Sequence, residues 1–289
     1  MCPKSESEGA MMRVGRELVH KDSEETMLVA TLEEVRPDNY LARLRAVGEP
    51  ILAPEVGVGA ASGPRAVTSP TLLGLEVTRQ LGLLMGHRAG GIPLDWAFLL
   101  NEISFQGSDA FALGIATRAA DMSAAVHISD ARVHAGRCDQ MTANAVFELD
   151  GELVATGSGS FRCIPRRTYE ALRRQQLRAP RRADATTGGA LNEVSVIGTD
   201  LQANLGWPSA NRLIFDHDVD HVPGMLFAQA GIEAHEHLTG EPPHDVSLVC
   251  PRFAEIGEVV SISARRFGKQ VATAAAQADE SVAEVKCAS

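Results

Sequence analysis

Two groups of residues in this 289-residue chain have the types and spacing for acid–base chemistry. The first is Glu76, Arg79 and Gln80, at i, i+3 and i+4, which places them on one face of a helix. Leu72, Leu73, Leu75, Val77, Leu81, Leu83 and Leu84 surround them. A carboxylate buried in such company is costly unless it is paired or its pKa rises. It is either half of a Glu–Arg pair on a helix surface or a carboxylate at a cavity, held by Arg79 or Gln80. The clustering of the helix's few polar residues favours the cavity. The second group is Asp216-His217-Asp218-Val219-Asp220-His221, directly before Val222-Pro223-Gly224. His and Asp both bind metals, but this spacing on an extended or looping segment specifies no site, and no metal is predicted. A solvated loop is the plain alternative. Acid–base use of His217 or His221 is favoured because the segment enters a helix amino terminus. Free amides near Gly224, like those near Thr71 on the other helix, can hold a carbonyl oxygen as it gains negative charge.

The elements that must position these residues come in two copies. Ser69-Pro70-Thr71-Leu72-Leu73-Gly74-Leu75-Glu76 opens an apolar stretch to His87, and Val222-Pro223-Gly224-Met225-Leu226-Phe227-Ala228-Gln229 opens another, 153 residues on. Ser69 can cap the first helix and Pro70 suits its first position; Gly90-Gly91-Ile92-Pro93 stops it. The copies are complementary: the first has Glu76 and no histidine shortly upstream, the second has the histidines but Gln229 in the place of Glu76. His235-Glu236-His237 reads as the wet end of the second helix.

Alternating patterns predict strands at 26–35, 40–47, 96–105, 110–120, 125–135 and 140–149. Asp150-Gly151 is a hairpin turn into a further strand over 152–164. Residues 49–67, rich in Gly, Ala and Pro, predict a loop. Second-half strands are expected at 192–199 and 211–215, and from Val246, Val259, Val271 and Val282. A helix apolar on nearly every side must be buried, and an antiparallel sheet is available to wrap it. This is an α+β class, a tandem hotdog arrangement. The expected division is a loose leader at 1–16, a first hotdog domain at 17–165, an Arg-rich connecting helix and linker at 166–190, and a second hotdog domain at 191–289. The Arg-rich stretch reads as a solvated connector, with docking of an acidic carrier protein or a phosphate as its alternative.

Composition narrows the function. Hydrophobic and charged fractions of 45% and 22% are those of an ordinary globular protein. A net charge of −10 argues against a general nucleic-acid binder. The five cysteines have neither metal-knuckle nor redox spacing, which reads as reduced thiols. The polar amino terminus has no apolar signal core, and no run is long enough to span a membrane. A cytoplasmic location is expected, without cofactor, nucleic acid or membrane partner.

Phe215-Asp216-His217-Asp218-Val219-Asp220-His221-Val222-Pro223-Gly224-Met225 closely resembles the signature of the A-factor biosynthesis (AfsA-type) hotdog family. Leu75-Glu76-Val77-Thr78-Arg79-Gln80-Leu81-Gly82-Leu83-Leu84, Gly91-Ile92-Pro93-Leu94, Val19-His20-Lys21 and Phe253-Ala254-Glu255-Ile256 also match it. The resemblance implies a double hotdog in actinomycete signalling-molecule synthesis. It implies an acyltransferase that joins a β-ketoacyl group from acyl carrier protein to the hydroxyl of dihydroxyacetone phosphate, leading to γ-butyrolactone or butenolide autoregulators. Glu76, His217 and His221 are then the catalytic candidates, and Arg79, Gln80 and Gly224 the substrate-binding ones. A homodimer is left open. Members commonly carry Glu-x-x-Arg-Gln on the second helix too, whereas here Gln229, Ile232 and Glu233 fill those places, and a histidine expected before the first helix is missing near Gly48-Glu49-Pro50. The departures predict one composite site, Glu76 from one half facing His217 or His221 from the other. A dehydratase or thioesterase on carrier-protein thioesters, and an inactive acyl-binding paralogue, are the competing classes.

Overall fold

The computed structural model describes residues 11–36, 38–48, 68–134, 137–178 and 183–289. Most of the expected leader, the loop expected at 49–67 and Arg181 and Arg182 lie outside the described residues.

One helix dominates each half. α1 (Pro70–Arg88) starts where Ser69 accepts a hydrogen bond from Leu72 N, with Pro70 in the first position. Every residue from Thr71 to His87 except Arg79 is buried. α1 is closely wrapped because its glycines leave room: a Cβ on Gly82 would come within 2.3 Å of the Phe161 ring. The second-half helix follows Pro223, spans Gly224–Thr239 and ends at the left-handed Gly240.

A single antiparallel sheet covers both helices. Its first-half strands are β1 (Met12–Arg13), β2 (Val29–Arg36), β3 (Asn39–Leu44), β4 (Ala97–Gly107), β5 (Ser123–His134), β6 (Arg137–Leu149) and β7 (Glu152–Ile164). Its second-half strands are β8 (Leu191–Ile197), β9 (Asp200–Leu205), β10 (Asp245–Val249), β11 (Ser261–Phe267), β12 (Gln270–Gln277) and β13 (Glu280–Ala288). β4 and β10 form the seam between halves, with Val246 opposite Phe105 and Leu248 opposite Ile103. Outward from it the order is β4-β7-β6-β5-β3-β2 on one side and β10-β13-β12-β11-β9-β8 on the other. The two halves therefore repeat one topology, a double hotdog. Asp150 and Gly151 turn from β6 into β7 with φ of 55° and 82°, both left-handed, as a two-residue hairpin requires.

Four sequence expectations are corrected. Residues 110–120 form not a strand but α2 (Asp109–Thr117). Ser108 caps it through Phe111 N, and Phe111 and Ile115 turn inward, while Leu113, which completed the apparent alternation, is exposed. Residues 211–215 form a turn: the Asn211 side chain accepts from Leu213 N, and its carbonyl accepts from Ile214 N and Phe215 N. The second-half strand there is β9 instead. The Arg-rich stretch forms α3 (Arg166–Leu172) and α4 (Arg174–Arg178), and Arg173 between them is buried rather than solvated. His235 is also buried, with its ring nitrogens against the carbonyls of Glu241 and Lys269.

No helix among the described residues is long and apolar enough to cross a membrane.

Candidate active site

A cavity of about 470 Å³ opens between the middle of α1 and the amino terminus of the second-half helix, which we call α5 (Gly224–Thr239). Glu76 and Arg79 reach it from α1, His20 and Lys21 from the turn after the 3₁₀ helix at Arg16–Val19, and His217, His221 and Gly224 from the segment entering α5. Trp96, Phe98 and Leu100 of the seam side, with Val222, Phe227 and Phe253, supply an apolar wall. A larger concavity of about 760 Å³ lies over the central strands but contains none of these groups. Among the described residues no cluster of His, Cys, Asp or Glu has the form of a metal site.

Glu76 is the electrostatic centre. Its carboxylate accepts a fork from Arg79, Nε to Oε2 at 2.7 Å and an η nitrogen to Oε1 at 2.8 Å, and a further bond from Gln80 Nε2 at 3.0 Å. Lys21 Nζ stands 3.1 Å from Oε1. Burial opposes the charge, but Arg79, then Lys21 and the Arg79 and Gln80 hydrogen bonds, outweigh it and hold the pKa down at about 2. Of the two outcomes open to a buried carboxylate, pairing or a raised pKa, Glu76 takes the first: it is a fixed anion, suited to holding its cations rather than to taking and returning a proton.

Lys21 carries the network across the halves. Its ammonium donates to Leu213 O at 2.7 Å and lies 3.7 Å from Asp216 Oδ1. Asp216, with its side chain fully buried, also accepts from Asp22 N at 2.9 Å and Thr26 Oγ1 at 3.0 Å. His217 Nδ1 is 2.6 Å from Asp216 Oδ1. Burial opposes the Asp216 charge, but the His217 hydrogen bond and then Lys21 overcome it and keep the carboxyl below its usual range. An ionised Asp216 can only accept, so His217 Nδ1 holds a proton and the ring is turned with Nε2 away from Asp216. Glu76 and His217 thus belong to one network, joined through Lys21 and Asp216 rather than by direct contact.

His221 forms a second pair. Its Nδ1 is 2.7 Å from Asp220 Oδ1, and Tyr169 OH donates to the same carboxylate at 2.7 and 2.8 Å. Arg173 holds the loop by donating to Asp220 O at 2.8 Å and pairing with Glu255, and it lies over the Phe253 ring. The Arg-rich segment is therefore a strut for His221.

Gln80 does not line the cavity. It is fully buried, accepts from Leu28 N and donates to Thr26 O and Glu76. The expected substrate contact is corrected to a pin that ties α1 to the start of β2. Its counterpart in the second half is Glu233, which accepts from Ala190 N and Leu191 N at the start of β8. Gln229, in the place of Glu76, donates to Glu233 and accepts from Asn211. The second copy has turned its acid position into scaffold. Thr71 also lies away from the cavity, its hydroxyl bonded to Pro243 O, whereas Gly224 at the α5 amino terminus lines it.

Sequence reasoning overlooked Lys21, Asp216, Asp220 and Tyr169 as site residues. The acids preceding each histidine were a visible signal; Lys21 had only its place beside His20. Cys250 also lines the cavity, but burial pushes its thiol up to about 12, so it holds no thiolate.

A family model described as the A-factor biosynthesis hotdog domain matches residues 3–165, more than half of the chain. A 2-oxo-3-(phosphooxy)propyl 3-oxoalkanoate synthase of Streptomyces virginiae is 25% identical over 65% of this chain and 67% of its own. A synthase of the same name from Streptomyces coelicolor is 26% identical over 65% of this chain and 62% of its own. The matches thus span about two thirds of these relatives' lengths. Among solved structures, a 12:0-ACP thioesterase from Umbellularia californica is 12% identical over 74% of this chain and 84% of its own, at a TM-score of 0.44. With the repeated topology and the family match over the first half, the chain belongs to the A-factor biosynthesis hotdog family.

Proposed function

We propose that the chain is an acyltransferase that moves a β-ketoacyl group from an acyl-carrier-protein thioester to the hydroxyl of dihydroxyacetone phosphate, in the synthesis of γ-butyrolactone or butenolide signals. The carrying observation is one cavity that combines an Asp-held histidine, a buried ion network that fixes Arg79 on its wall, a helix amino terminus and an apolar wall. The relatives' name describes the same kind of ester, a phosphooxypropyl 3-oxoalkanoate.

The residues take distinct parts. Arg79, fixed by Glu76 and still partly open to the cavity, attracts the phosphate, while Lys21 ties Glu76 to Asp216. His217 Nε2 removes the acceptor hydroxyl's proton as its oxygen attacks the thioester carbonyl. The developing oxyanion faces the α5 amides near Gly224. The C–S bond then breaks, the sulfur leaves as thiolate and takes the proton back from His217. His221, braced by Asp220, stands beside the same helix end to orient the thioester. The acyl chain lies along the Phe98 and Phe227 wall. Only one such site is proposed, because Gln229 is committed to Asn211 and Glu233.

The test is incubation with β-ketoacyl-carrier protein, with and without dihydroxyacetone phosphate, followed by mass spectrometry. A new ester that depends on dihydroxyacetone phosphate is expected. Free acid in both reactions, or hydration of an enoyl thioester, would assign the cavity to the thioesterase or dehydratase class.

A further inference from the structure

His20 lines the cavity, yet the proposed reaction leaves it unused. It is not an idle residue. Its backbone is left-handed, φ 52° and ψ 54°, a conformation that costs a non-glycine residue energy and that concentrates at functional positions. Phe98 packs edge-on against its ring at 5.3 Å, and His20 Nε2 lies 2.9 Å from Nε2 of His87 on the last turn of α1.

Two imidazole nitrogens in contact leave a choice of which donates, and the surroundings decide it. His87 Nδ1 is 2.8 Å from Ile92 O. A carbonyl only accepts, so His87 Nδ1 carries a proton. Burial lowers the His87 pKa, so the ring has no second proton and its Nε2 is a lone pair. The proton in the contact therefore belongs to His20 Nε2. Burial, then the Arg79 charge, lowers the His20 pKa to about 3, so the ring is neutral. A neutral ring protonated at Nε2 has a lone pair at Nδ1, which has no hydrogen-bond partner among the described residues.

We infer that His20 is a positioning residue: locked by His87 as the Nε2–H tautomer, it offers the cavity an acceptor at Nδ1 and selects a substrate with a hydroxyl donor beside an anionic group. The anion belongs to Arg79, which lines the same cavity and whose charge acts on the His20 ring. In the bound acceptor the hydroxyl's hydrogen goes to Nδ1, which fixes the oxygen beside the thioester; rotation about its C–O bond then hands that hydrogen to His217 Nε2, the base, as the oxygen attacks. A site built around an acceptor rejects an analogue that lacks the donor, because the acceptor is then left unpaired. This inference rests on the acyl-acceptor reading above.

Two measurements test it. Nitrogen-15 NMR of histidine-labelled protein should show His20 protonated at Nε2 and unprotonated at Nδ1 at neutral pH, with Nδ1 shifting when dihydroxyacetone phosphate is added. In competition binding, wild type should prefer dihydroxyacetone phosphate to hydroxyacetone phosphate bearing no free hydroxyl by about tenfold. His20→Leu should bind both alike and show a raised KM for the acceptor. His20→Asn should restore the preference, since Asn tolerates the left-handed backbone and offers a carboxamide oxygen. Wild-type ester formation with unchanged preference in His20→Leu overturns the inference and leaves the acyl-transfer reading standing. If wild type forms no ester, that reading fails, and the NMR decides alone: an Nδ1 shift supports the acceptor role and an unmoved Nδ1 overturns it.

Discussion

Glu76→Gln keeps the shape of a buried side chain and removes its charge. In the wild type the carboxylate, 1% exposed, neutralises Arg79 and Lys21 together. Each pKa unit corresponds to about 1.4 kcal/mol, so holding a group of ordinary value 4.5 at about 2 contributes on the order of 3 kcal/mol. Removing one partner from a buried ion cluster costs roughly 3–5 kcal/mol in comparable cases, which agrees. The folded pKa is depressed, so this stability is fully present above the unfolded value and is lost as pH falls through the folded one. At neutral pH the variant should melt about 6 °C or more below wild type, taking roughly 2 °C per kcal/mol for a chain of this size. The gap should close as pH falls from 4.5 towards 2. Acyl transfer should fall about 100-fold or more, because Arg79 and Lys21 lose their fixed positions. The assay is calorimetry across that pH range, with ester formation followed at neutral pH. An unchanged melting temperature and unchanged kcat/KM would refute the account of Glu76 as the charge that organises the site.

Other consequences are as specific. Asp216→Asn should release the His217 tautomer and lower kcat by about 10³-fold or more, with KM for the acceptor changed little; steady-state kinetics read both. Gln229→Ala should retain most turnover while lowering stability by about 1–3 kcal/mol, since Glu233 and Asn211 each lose a partner, measurable by urea unfolding. Gly82→Ala should destabilise by about 1–3 kcal/mol, because the new methyl meets the Phe161 ring; an unchanged urea midpoint would contradict the tight wrapping of α1.

The double hotdog was legible where a single signal dominated. Ser69-Pro70 marked the start of α1, and Asp150-Gly151 marked the turn into β7, whose span matches expectation. Pattern failed where period and environment disagreed. Phe111, Leu113 and Ile115 alternate like a strand, but the Ser108 cap starts a helix and Leu113 points to solvent. Residue types indicated which side chains would share the cavity, since Glu76, Arg79, His217, His221 and Gly224 all line it. They did not indicate Gln80's true contacts, because whether a carboxamide meets substrate or backbone depends on how α1 sits against β2. Nor did they show that a lysine and an aspartate would stand between Glu76 and His217, a link created only when the amino-terminal turn packs against the segment before α5.

The central claim is that one site draws on both halves. Ester formation by Glu76→Gln, Asp216→Asn and the double variant tests it most directly, each checked for folding by circular dichroism. Residues acting in one site are not additive. The account predicts that each single variant loses nearly all turnover and that the double variant is little worse than the poorer single one. Two single variants that each keep about half the activity, with losses that add to near-complete inactivity in the double, would show separate sites and contradict it.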